Sequence, residues 1–226
     1  MAPTAHVVLG LCLSAILSLG ACGPAQPSPS KEGSRALDEF LDAAADGALD
    51  LVDQFLVSGG AVDAQRADGR SALTQASFNG QLRVVNQLIA AGADPDLRGY
   101  NGFSPVTASA RFRHYLVLKR LLREGVDLNA HDDHGLTALH HAAKTGDRRS
   151  VHLLLSAGAY IDAPDLSGGT PLFEAARNGQ YQTVELLLRH GANGQVRNVW
   201  GVSPGEIAAA NGHAGIAALV QKRRSL

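Results

Sequence analysis

Thr137-Ala138-Leu139-His140-His141-Ala142-Ala143, with Leu154-Leu155-Ser156-Ala157-Gly158-Ala159 behind it, decides the fold, because the chain says it again. At an offset of 33 residues the same two phrases return as Thr170-Pro171-Leu172-Phe173-Glu174-Ala175-Ala176 and Leu187-Leu188-Arg189-His190-Gly191-Ala192. Glycines keep the same period in three phase-locked ladders: Gly69, Gly102, Gly135, Gly168 and Gly201; Gly59, Gly92, Gly125, Gly158 and Gly191; and Gly80, Gly146, Gly179 and Gly212, with Arg113 breaking the third. A fixed period of this length means a solenoid, in which each small unit buries its apolar face only against its neighbours. Function on such a molecule belongs to a surface.

Within one unit the pattern is helix, tight turn, longer helix, loop. Ser71 is suited to cap a short helix from Ala72, and Asn79-Gly80 ends it with a residue that enters the left-handed region without penalty. Leu82, Val85, Leu88 and Ile89 then make a helical apolar stripe, and Ala93-Asp94-Pro95-Asp96 turns the chain toward an extended hairpin. Six units fit between residues 36 and 226. The first lacks the hairpin opening, and the last carries Gly205 where its neighbours place a buried apolar residue. Arg113, in a glycine slot, predicts local strain or a different turn.

These motifs resemble the ankyrin repeat, whose unit opens Thr-Pro-Leu-His-x-Ala-Ala and closes Leu-Leu-x-x-Gly-Ala. The resemblance covers about residues 36 to 222. It implies an all-α solenoid of helix-turn-helix units with β-hairpin loops, and partner contacts at hairpin tips and on the exposed side of each first helix. Carried onto this sequence, the implied partner-binding residues are Arg70, Phe78, Arg98, Tyr100, Phe103, Arg111, Phe112, Lys144, Arg177 and Trp200. Phe78, Tyr100, Phe103 and Phe112 are the expected apolar anchors, since aromatics and arginines dominate interface energetics. The basic residues predict an acidic protein partner. His140 falls on the motif histidine and is expected to brace neighbouring loops.

The leader differs from all this. Val7 to Leu19 is apolar apart from small residues, too short to span a bilayer as a mature helix, and it ends Leu19-Gly20-Ala21-Cys22. That string is similar to a bacterial lipobox, although the leader has no Lys or Arg; an ordinary cleaved signal peptide or an uncleaved anchor are the other readings. The resemblance implies a signal peptide over residues 1–21, lipid on Cys22, and, with Gly23 next, an outer-membrane lipoprotein facing the periplasm. Cys12 and Cys22 are the two cysteines, so a chain processed this way forms no internal disulfide and Cys22 has a use. Residues 22–35, with Pro24, Pro27 and Pro29, predict an extended tether, and residues 36–226 the repeat domain.

A formal net charge of −1 excludes a general polyanion binder, so no nucleic acid is expected. Nucleophile elbows, Cys-x-x-Cys pairs and phosphate loops are missing from the sequence; a non-catalytic chain without cofactor is expected. His131 and His134 flank Asp132 and Asp133 and raise the question of zinc; the expectation is surface histidines with no metal. The expected activity is protein binding by a monomer, as a scaffold or accessory for a periplasmic detoxifying enzyme, or as an inhibitor or immunity protein that occludes a toxin.

Overall fold

Five hydroxyl residues spaced by the repeat start five helices in the same way. Ser71, Ser104, Thr137, Thr170 and Ser203 have extended backbone, and each side chain accepts the N–H three residues on. Pro105, Pro171 and Pro204 follow directly, where a fixed φ and a missing N–H cost nothing. The helices end at left-handed residues, among them Gly80, Gly146 and Gly179.

The computed structural model describes residues 31–222, and in these the chain forms twelve α-helices and no strand. They are α1 (Lys31–Asp46), α2 (Leu49–Val57), α3 (Ala72–Phe78), α4 (Leu82–Ala90), α5 (Pro105–Arg111), α6 (Tyr115–Leu121), α7 (Ala138–Thr145), α8 (Arg148–Ser156), α9 (Pro171–Arg177), α10 (Tyr181–Arg189), α11 (Pro204–Ala210) and α12 (Ala214–Lys222). Odd-numbered helices pack in one row and even-numbered helices in a second. This is the solenoid of six helix pairs that the period predicts. The helix α1 starts at Lys31, inside the stretch expected to be tether. Cys22 and the leader lie outside the described residues.

The core is a column of the repeat's own apolar positions. Leu73, Val106, Leu139 and Leu172 occupy one slot, and Leu88, Leu121, Leu154, Leu187 and Val220 another; all are buried. Each fully buried leucine contributes about 1.5–3 kcal/mol relative to exposure. At Gly205 the missing side chain is met by Val220 of α12, whose Cγ1 lies 3.5 Å from where a Cβ would be.

The expected hairpins are present as tight turns. Backbone bonds in both directions close each one, as in Asp132 N–H to Leu136 O (2.9 Å) and Gly135 N–H to Asp132 O (2.9 Å); a single bridge, Gln65 to Ser71, is the only β pairing among the described residues. Side-chain rungs then tie unit to unit: Asp63 accepts Asp94 N–H, Asp96 accepts Asp127 N–H, Asn129 accepts Tyr160 N–H and Asp162 accepts Asn193 N–H. Arg113 keeps the glycine geometry at φ 62°, so the turn is unchanged and the strain, about 1 kcal/mol or more, is carried by the side chain's Cβ.

Candidate functional site

First helices end side by side, so residues at one repeat slot in their last turns form a ladder across units: Phe78 on α3, Arg111 on α5, Lys144 on α7 and Arg177 on α9. Phe78 meets Phe112, one residue beyond α5, with ring centroids 3.9 Å apart, yet both rings remain more than a third exposed (38% and 37%). Arg111 lies over two rings at once, 5.4 Å from the centroid of Phe103 and 5.6 Å from that of Phe112. Such contacts hold a guanidinium in place without neutralising it.

Phe103 is not the exposed anchor expected of it. It is only 7% exposed, because Arg111 covers one side and the imidazole of His141 approaches to 5.4 Å. Its role is to support the patch from below. Tyr100 is exposed and carries Arg70 over its ring at 5.5 Å.

Beneath Phe103 is a buried polar pair. His141 Nε2 is 2.7 Å from Asp132 Oδ2, and neither side chain reaches solvent. The other carboxylate oxygen accepts the N–H groups of His134 and Leu136, both at 2.9 Å. Burial alone would raise the Asp132 carboxyl, but these bonds outweigh it and hold it below its ordinary range. Burial pushes the His141 imidazole down, against the pull of Asp132. The pair is therefore a neutral imidazole donating Nε2–H to a carboxylate.

The basic residues are less free than their number implies. Arg70 pairs with Asp68 at 3.1 Å, Arg98 with Asp133 at 3.5 Å, and Arg177 with Glu174 at 3.0 Å. Arg98 also donates to His131 O (2.6 Å), locking adjacent hairpins together. Glu174 is itself buried, which raises its carboxyl against the pull of Arg177. Arg111 and Lys144 are the predicted partner-binding cations that form no ion pair among the described residues. Trp200 stands at the last hairpin tip, 73% exposed, and shares no ring contact with the Phe78–Phe112 patch.

Two apolar tip residues outside the expected set are exposed like Trp200. Leu166 and Val199 are 77% and 70% exposed, and both sit in the repeat slot of Tyr100. Aligning the units slot by slot would have found them. The Asp132–His141 pair had no such signal.

His140 does brace loops, as its motif position implies: Nδ1 accepts Thr137 N–H (3.1 Å) and Nε2 reaches Gly169 O (3.2 Å) in the next hairpin. His131 and His134 are exposed, and among the described residues no three His, Cys, Asp or Glu side chains gather as metal ligands would. No helix among them is long and apolar enough to cross a membrane.

The family model described as Ankyrin repeats (3 copies) matches residues 40–132, 73–165, 110–198 and 139–224, four overlapping registers that cover nearly all of the helical array. The chain belongs to the ankyrin-repeat family. Comparison with curated proteins returns no match. Ankyrin repeats are in general protein–protein interaction modules and are typically non-catalytic.

Proposed function

We propose that this ankyrin-repeat chain is a non-catalytic protein-binding scaffold, tethered to a bacterial membrane through lipid on Cys22 and presented to the periplasm. The observation that carries the binding face is the Phe78–Phe112 pair: two rings from different units, tilted against each other and left more than a third open to solvent. Exposed aromatic surface of this kind marks interaction sites, and a patch with an arginine fixed at its edge has the composition of an interface hot spot. Arg111 and Lys144, without carboxylate partners among the described residues, favour a partner that offers acidic groups beside an apolar contact. The tether is supported by the sequence alone, through Leu19-Gly20-Ala21-Cys22 and the short apolar leader.

Changing Phe78 and Phe112 together to alanine removes exposed rings and leaves the core columns intact. The double variant is expected to weaken partner binding by roughly 30-fold or more, the effect of losing about 2 kcal/mol at a hot spot. The measurement is capture of envelope proteins by the full-length chain, quantified by mass spectrometry, with helicity checked by circular dichroism. Equal recovery of the same proteins by the folded double variant would remove this face from consideration.

A further inference from the structure

On the turns that join the first and second helices, on a different part of each unit, one unit boundary is built unlike the others. At four boundaries a glycine in the left-handed conformation lies under a side chain of the next unit: Gly47 under Gln81, Gly80 under His114, Gly146 under Gln180, and Gly179 under His213. At three of these that side chain also reaches a backbone carbonyl of the earlier unit: Gln81 Nε2 to Ala45 O (3.0 Å), His114 Nε2 to Phe78 O (2.9 Å), and Gln180 Nε2 to Lys144 O (3.2 Å); at the last, Asn211 Nδ2 reaches Arg177 O (2.8 Å) in its place. At the third boundary the glycine is Arg113 and the reaching side chain is Asp147. A Cβ at Arg113 takes the space, and Asp147 turns back to its own helix, where it accepts from Arg149 N–H (3.2 Å), Ser150 N–H (3.4 Å) and Ser150 Oγ (2.6 Å). The rung to the Arg111 carbonyl is missing among the described bonds. A notch of about 740 Å³ lies at this boundary.

We propose that this notch, lined by Arg113, Arg148, Arg149, His152, Tyr115 and Gln182, is a binding site for a phosphate group. Three guanidiniums share one concavity whose only carboxylate, Asp147, is 7% exposed and already engaged. Arg113 and Arg149 form no ion pair among the described residues, and Arg148 donates only to Gln182 Oε1, at 3.3 Å. Several arginines elsewhere on the molecule are tied to carboxylates, as in Arg66–Asp38 and Arg189–Glu185. Guanidinium forks from several directions match the oxygens of a tetrahedral anion better than those of a planar carboxylate. The volume suits a small phosphorylated group. Backbone N–H groups at the start of α8 contribute little, since Asp147 occupies them. Strain at a residue held in the left-handed region finds an explanation if the side chain it delivers is used. The inference does not depend on the partner-binding face.

The test uses the full-length chain in detergent at low salt, titrated calorimetrically with inorganic phosphate and, separately, with water-soluble dihexanoyl phosphatidylglycerol. Saturable binding of either probe is expected; phosphate alone points to a free anion, the short-chain lipid alone to a headgroup. Arg113→Gly restores the residue type of the other boundaries, so it should fold, with a melting temperature raised by roughly 2–4 °C, while affinity falls about tenfold or more. Arg149→Gln, at an exposed position, should weaken binding in the same direction. Failure of both probes to bind, unchanged affinity in Arg113→Gly, or equal binding of acetate overturns the proposal.

Discussion

Asp132→Ala is expected to lower the free energy of unfolding by about 3 kcal/mol or more, because it strips the acceptor from three donors at about 1–3 kcal/mol for each that stays unsatisfied. The carboxylate serves two structures at once. One oxygen closes the hairpin turn through the N–H groups of His134 and Leu136, and the other takes Nε2–H from His141 on α7. Alanine leaves three donors without an acceptor, two of them backbone groups and one a fully buried imidazole, and an unsatisfied buried polar group costs more than its hydrogen bond contributed. Phe103, resting 5.4 Å from the His141 ring, would lose its support, and with it the floor under Arg111. Asp132→Asn separates the causes. An amide does the turn's work at the equivalent position of the last unit, where Asn198 Oδ1 accepts Trp200 and Val202 N–H. The asparagine variant should therefore lose only about 1 kcal/mol. Urea denaturation followed by circular dichroism measures both. Because α7 and α8 lie in the interior of a stack held by neighbour contacts, the alanine variant is also expected to unfold in more than one step. A loss below 1 kcal/mol for alanine would mean that the pair is solvated in solution.

Acid should destabilise the protein well before its carboxylates protonate. His140 is fully buried, and burial pushes its imidazole down to about 4, partly offset by the bond to Gly169 O. In the unfolded chain the ring binds a proton near pH 6.5. Between these two values the unfolded state holds a proton that the folded state refuses, so stability falls as pH is lowered through that window and is complete above it. A difference of this size corresponds to about 3 kcal/mol lost by pH 4. His141 acts in the same direction, and Asp132, held below the ordinary carboxylate range, extends the loss to more acid pH. Urea midpoints at pH 7 and pH 4.5 measure the slope. The His140→Thr variant, which places at this slot the residue found as Thr74 and Thr107, should flatten it by at least about 1 kcal/mol. An undiminished slope in that variant would show that another group governs the acid response.

The caps show how much was legible in advance. Ser71 announces its helix by type and place, and Ser104, Thr137, Thr170 and Ser203 repeat it at the same spacing, so helix starts could be read without knowing what they touch. The same holds for the apolar columns and for the hairpin glycines. Phe78 and Phe103 show the limit. Both are phenylalanines assigned to one face, yet Phe78 is open while Phe103 is covered, because Arg111 and His141 arrive from other places along the chain. Arg113 stood out in the sequence as a residue in a glycine slot, but its consequence lay at Asp147 in the next unit. The charge excess of the proposed binding face shrank for a similar reason: Asp68, Asp133 and Glu174 neutralise arginines that a count of residue types leaves free.

The sequence by itself determined the architecture, the number of units and the membership of the core, since caps, left-handed glycines and apolar stripes act within one unit and recur unit after unit. Only the tertiary structure decided which surface side chains remain available, where a buried imidazole meets a carboxylate, and where a rung between units is absent. Those outcomes depend on the directions and lengths of side chains meeting across a unit boundary, and no single unit specifies its neighbour's reach.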